Sequence, residues 1–121
     1  MAPALADARS LRGDVDPGEG NPGYTDKQRD LEADFRARLS AKTVDFQTRY
    51  GYQRSAPGKA NMNLACNSVG ERYQCLAMTL EMPFKDNDDA PDPVTGWSGK
   101  RSMQLASDVL STLGQMVSVL R

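Results

Sequence analysis

The 121-residue chain contains no histidine and no isoleucine. Without histidine there can be no Ser-His-Asp triad, no Cys-His nucleophile pair and no histidine-ligated zinc built from this chain alone. Without isoleucine the aliphatic supply is Leu, Val, Met and Ala. Hydrophobic residues reach only 39%, and Leu, Val and Phe together are sparse, close to the composition at which a core becomes hard to fill. No apolar run approaches the roughly 18 residues of a membrane span, and the first ten residues lack the apolar stretch of a signal peptide. The expectation is a cytoplasmic protein with no membrane partner. A charge surplus is missing too: 15 basic residues stand against 16 acidic ones, for a net charge of -1. Neutralising phosphates needs a basic surplus, so no nucleic-acid partner is expected. A net charge this small also argues against wholesale disorder. Cysteine is scarce. Cys66 and Cys75 lie nine residues apart, which is neither zinc-finger nor redox-motif spacing. In a reducing compartment the expectation is two free thiols, with a disulfide as the alternative.

A length near 120 fits one domain or a piece of a larger one. Residues 1–24 are crowded with Gly13, Asp14, Asp16, Pro17, Gly18, Gly20, Pro22 and Gly23, and are expected to be poorly ordered. Arg12-Gly13-Asp14 matches a cell-adhesion tripeptide, a match short enough for chance to supply. Thr25-Asp26-Lys27-Gln28 has capping-box form. Leu31, Phe35 and Leu39 follow at four-residue steps, predicting an amphipathic helix over about 26–41. Residues 43–60, with Phe46, Tyr50 and Tyr52 as apolar anchors, are expected to be irregular. Lys59 to Ala65 alternates and predicts an extended segment, followed by a short helical turn over Ser68 to Gln74. Cys75 to Leu80 is nearly continuous in apolar residues, the pattern of a strand covered on both faces inside a parallel or mixed sheet. Pro83 stops it. Lys85 to Trp97 is a loop rich in Asp, but it lacks the closing Glu of a calcium site, so no metal is expected there. Ser98 to Leu120 is the second main helix. Met103, Ala106, Leu110, Leu113 and Val117 form one stripe; Leu105, Val109, Met116 and Leu120 widen it enough to predict a largely buried helix. Gly114 inside it costs about 1 kcal/mol against alanine, which a close backbone approach would explain.

Glu81 does not fit this purely structural pattern. It follows the most apolar segment of the chain, and in open α/β sheets the functional crevice lies at the carboxyl ends of strands. A carboxylate there, between Leu80 and Met82, is expected to be desolvated and raised in pKa, as a general base or acid requires. The bland alternative is a carboxylate turned to solvent.

The segment Gly58-Lys59-Ala60-Asn61, then Val69-Gly70-Glu71-Arg72-Tyr73, then Cys75 to Leu80 with Glu81-Met82-Pro83-Phe84-Lys85-Asp86-Asn87, resembles the C-terminal part of zinc metallocarboxypeptidases. The resemblance is greatest to bacterial members of the cytosolic carboxypeptidase subfamily. It runs on through Pro91 to Ser98 into the last helix, and back to Gly20-Asn21-Pro22-Gly23-Tyr24-Thr25. It implies an α/β fold: the C-terminal portion of a mixed-sheet zinc exopeptidase domain over 25–121, with two main helices and a buried central strand. It implies hydrolysis of C-terminal amino acids from peptides or proteins, with Glu81 as the catalytic base. In the family, zinc is held by a His-x-x-Glu pair and a later histidine, and an arginine holds the substrate's terminal carboxylate. This sequence departs from that pattern, because neither histidine exists. Leu11-Arg12-Gly13-Asp14-Val15 is similar to the family's His-Gly-Asp-Glu segment, with Arg12 at the histidine position, where a cation would repel zinc. The resemblance therefore implies a fragment or degenerate copy that holds no metal or cofactor itself and is inactive alone. The alternative is a non-catalytic binding or self-association module using its apolar last helix or an exposed sheet edge.

Overall fold

A computed structural model describes residues 12–14, 20–49 and 55–120. Tyr50 and Tyr52, expected as apolar anchors, lie outside the described residues, as do 1–11 and 15–19 of the glycine- and proline-rich N-terminal stretch. The elements in chain order are strand β1 (Arg12–Asp14), helix α1 (Asp26–Lys42), helix α2 (Ala65–Tyr73), strand β2 (Thr79–Glu81) and helix α3 (Gly99–Met116). Among the described residues this is a partial α/β arrangement with three helices.

α1 begins where its chemistry allows. The Thr25 side chain accepts from the Gln28 backbone N–H, and the Gln28 side chain accepts from the Thr25 N–H, so two orphan donors are satisfied at once. Leu31, Phe35 and Leu39 are buried, Leu39 completely. They pack with Phe46, Leu105 and Met116, and Leu76, Met78, Leu80, Trp97, Val109, Leu113 and Leu120 border that cluster.

α3 starts at the N-cap Ser98, whose side chain accepts from the Arg101 N–H. It is less buried than its sequence predicts. Leu105, Thr112 and Met116 are buried, while Met103, Leu110 and Val117 are 69%, 69% and 64% exposed. A helix carrying two apolar stripes buries the one that meets a layer, and among the described residues no layer covers the other. The close approach expected at Gly114 is also absent: a Cβ there would meet nothing within 4 Å.

Two further expectations are corrected. Residues 59–64 form an irregular stretch that turns at Met62–Asn63 rather than an extended segment. The Asn61 side chain accepts from the Asn63 N–H, and its carbonyl accepts from the Asn67 side chain; this local bonding outcompetes a ladder. It leads directly into α2, which starts three residues earlier than the predicted turn and ends on Gln74 in the left-handed region (φ 51°). The strand predicted over Cys75 to Leu80 is realised only at Thr79–Glu81. It pairs antiparallel with β1 in a two-stranded sheet, with Arg12 opposite Glu81, Gly13 opposite Leu80 and Asp14 opposite Thr79. A backbone forms a ladder only where a neighbour supplies donors and acceptors.

α2 is tied by polar contacts to α1 and to the segment that leads into it. The Asn21 amide donates to the Asn67 carbonyl (2.9 Å), the Gln28 amide to the Gly70 carbonyl (2.8 Å), and the Gly23 N–H to a Glu71 carboxylate oxygen (3.0 Å). Asn21, Gln28 and Asn67 are all buried, and the bonds from their side-chain amides offset the cost of burying those donors.

Candidate functional site

Glu81 is the last residue of β2, not the residue after the strand. It is half-buried, and the sheet register sets it across from Arg12. Met82 and Phe84 beyond it are 49% and 87% exposed, while Pro83 is buried between them. Glu81 therefore stands between the apolar layer under Leu80 and an open apolar rim.

The chain after Glu81 is tied to the start of α3. The Trp97 indole N–H donates to the Ser102 hydroxyl (2.8 Å), and that hydroxyl donates to the Met82 sulfur (3.4 Å). The Trp97 N–H donates to the Lys85 carbonyl (2.6 Å). Gly96, at φ +63°, makes this closure possible, because a Cβ there would run into the Lys85 carbonyl oxygen.

Inside the loop the acidic residues serve the backbone. Asp86 accepts from the Asn87 and Asp92 N–H groups. Asp92 accepts from the Val94 and Thr95 N–H groups and from the Thr95 hydroxyl. The Thr95 hydroxyl, then those N–H groups, hold the Asp92 carboxyl below the usual carboxylate range.

Arg101 closes the assembly from α3. Its guanidinium donates through Nε and Nη2 to the two oxygens of Asp45 (2.9 and 2.5 Å), through Nη1 to Asp86 (3.3 Å) and through Nη2 to the Ala90 carbonyl (2.5 Å). It also lies over the Trp97 ring, 5.0 Å from the centroid, a cation–π arrangement. Burial pushes the Asp45 carboxyl up, but hydrogen bonds from Arg101 and Asn87 and the Arg101 charge outweigh it, so the net displacement is downward. The Asn87 amide donates to Asp45 and to the Val44 carbonyl. Sequence reasoning missed Asp45, Asn87 and Arg101. Their partnership spans up to 56 positions, and no local pattern signals it.

The donor set does not fit a metal. The chain has no histidine. Among the described residues no group of three or more His, Cys, Asp or Glu side chains is placed to hold an ion. Cys66 and Cys75 are half-buried free thiols, directed at the Asn67 side chain and the Val69 carbonyl. No helix among the described residues is long and apolar enough to cross a membrane.

No family model matches the chain. An uncharacterized protein of Zymomonas mobilis is 47% identical over 102 residues, which make up 84% of this chain and 27% of that protein. A metallo-carboxypeptidase from Pseudomonas aeruginosa, solved in complex with (2-guanidinoethylmercapto)succinic acid, is 57% identical. It superposes with a TM-score of 0.86 over 93% of this chain and 29% of its own. A metallo-carboxypeptidase from Burkholderia cenocepacia is 33% identical, with a TM-score of 0.81 over 90% of this chain and 28% of its own. The chain thus spans between a quarter and a third of the length of these relatives. At this identity and superposition, the chain resembles the C-terminal part of a metallo-carboxypeptidase domain.

Proposed function

We propose that residues 25–121 are the C-terminal part of a zinc-dependent carboxypeptidase catalytic domain, whose reaction releases the C-terminal amino acid of a peptide or protein. In that reading Glu81 is the proton-transfer carboxylate. It takes a proton from the attacking water, whose oxygen adds to the scissile carbonyl, and returns it to the leaving amine as the C–N bond breaks. The observation that carries the proposal is the position of Glu81 at the end of β2, within a segment 57% identical to a metallo-carboxypeptidase. The residues present do not fit a metal centre, so no step is assigned to one here, and the isolated chain is read as inactive. The two free thiols favour a reducing, cytoplasmic setting.

The test grafts residues 25–121 into the Pseudomonas aeruginosa enzyme in place of the matching segment. Hydrolysis of a peptide's C-terminal residue is then compared with and without Glu81→Gln. The expected result is a loss of about 10²–10⁴-fold with unchanged metal content. Full activity in the Gln variant would remove Glu81 from the mechanism. Metal analysis of the isolated chain, purified at neutral pH, is expected to give far less than one zinc per chain; a stoichiometric value would overturn that part.

A second reading, a non-catalytic docking module, is favoured by the exposed α3 face of Met103, Leu110 and Val117. The genomic reading frame separates the two. Upstream His-x-x-Glu and His-Gly-Asp-Glu codons support the catalytic reading. A clean intergenic start and a monodisperse folded oligomer support the docking module.

A further inference from the structure

β2 is three residues long, pairs among the described residues with β1 alone, and ends on Glu81. The chain then leaves the sheet, and apolar burial does little to hold it. Met82 and Phe84 are 49% and 87% exposed; of the stretch from Met82 to Lys85 only Pro83 is buried. A stretch with so little buried surface keeps one path only where hydrogen bonds fix it. Three bonds do so here, and their donors all lie in residues 97–102, around the N-cap of α3. The Ser102 hydroxyl donates to the Met82 sulfur (3.4 Å), the Trp97 N–H to the Lys85 carbonyl (2.6 Å), and the Arg101 Nη1 to Asp86 (3.3 Å).

Trp97 takes part in all three ties. Its own backbone makes the second. Its indole N–H donates to the Ser102 hydroxyl (2.8 Å), and a hydroxyl that accepts there has its single proton left to direct at Met82. Its ring lies under the Arg101 guanidinium, 5.0 Å from the centroid, which steadies the group that holds Asp86. The indole is itself anchored, because Trp97 packs against the buried apolar cluster. The chain that leaves Glu81 is thus caught again at Met82 and at Lys85 by contacts that meet in one residue. Catalysis falls steeply when a reacting group is displaced by about 1 Å. Resting on the reading of Glu81 in the preceding subsection, we infer that Trp97 is a positioning residue for that carboxylate. It fixes the exit of β2, and with it the direction in which Glu81 meets the reacting groups. It acts through Met82, Lys85 and Arg101 rather than by touching the substrate.

The test uses two proteins: the graft of residues 25–121 in the Pseudomonas aeruginosa enzyme, and the full chain alone. In the graft, Trp97→Phe keeps a ring and removes the indole N–H, while Ser102→Ala removes its acceptor. Each is expected to lower kcat about tenfold, with KM and metal content unchanged. The double variant should lose no more than either single one, because both break the same bond. Ser102→Thr keeps the hydroxyl and should retain most of the activity. Unchanged kcat in Ser102→Ala, losses that multiply in the double variant, a KM that rises in step with the loss, or a threonine variant as impaired as the alanine one would each overturn the inference. Ser102→Ala applies the same test if Trp97→Phe does not fold. In the full chain, exchange of the Trp97 indole proton with solvent should quicken about tenfold in Ser102→Ala; an unchanged rate would remove the bond and the inference with it. The two readings fail separately. A graft that stays fully active with Glu81→Gln defeats the proposed role of Glu81. A graft that Glu81→Gln silences and Ser102→Ala leaves untouched defeats the role of Trp97 alone.

Discussion

Asp45 and Arg101 form an ion pair that is mostly shielded from water. Their side chains are 13% and 18% exposed, and two hydrogen bonds join them. The sign of the pH effect follows from the Asp45 carboxyl, which the net of burial and bonding holds below its ordinary value. A depressed folded-state value means the pair's contribution is complete above the usual carboxylate range and is lost as pH falls through the folded value. Unfolding free energy from urea titrations should therefore decline below about pH 4. Asp45→Asn should cost about 2–3 kcal/mol at pH 7 and flatten that decline; an equal slope in both proteins would contradict this account. Leu39, fully buried, tests the apolar side: Leu39→Ala should cost about 2–5 kcal/mol in the same assay. The sequence exposed Leu39 through its four-residue rhythm. It hid the Asp45–Arg101 pair because nothing near either residue encodes the other.

At the scale of elements, legibility follows the range of the forces. α1 was readable because its cap and its apolar stripe are both local. Thr25→Ala should lower the melting midpoint in proportion to about 1 kcal/mol. α3 was readable as a helix, but not as to which stripe it buries, since that depends on where α1 lies. Gly114 now reads differently: with open space at its Cβ, Gly114→Ala should stabilise by about 1 kcal/mol, seen as a higher midpoint by circular dichroism. No gain would mean that the glycine serves a contact outside this chain. β2 was the least legible, because composition reports a preference for being a strand while a ladder requires a neighbour.

At the scale of the molecule, six buried apolar side chains among the described residues form the core, and a polar seam joins α2 to α1 and the segment before it. So few apolar residues leave little margin over chain entropy. The isolated chain should melt broadly, with a transition that depends on concentration because open edges associate. A sharp, reversible melt of a monomer would refute this. One feature offers a way to watch these events. The chain's single tryptophan, Trp97, rests on the Arg101 guanidinium and donates to Ser102. Its intrinsic fluorescence is therefore an unmixed optical signal from the junction where the loop after Glu81 meets α3. Protonating Asp45 weakens two of the four hydrogen bonds that hold Arg101 over the indole, so emission should shift toward that of a hydrated ring at acid pH, before the helical signal is lost.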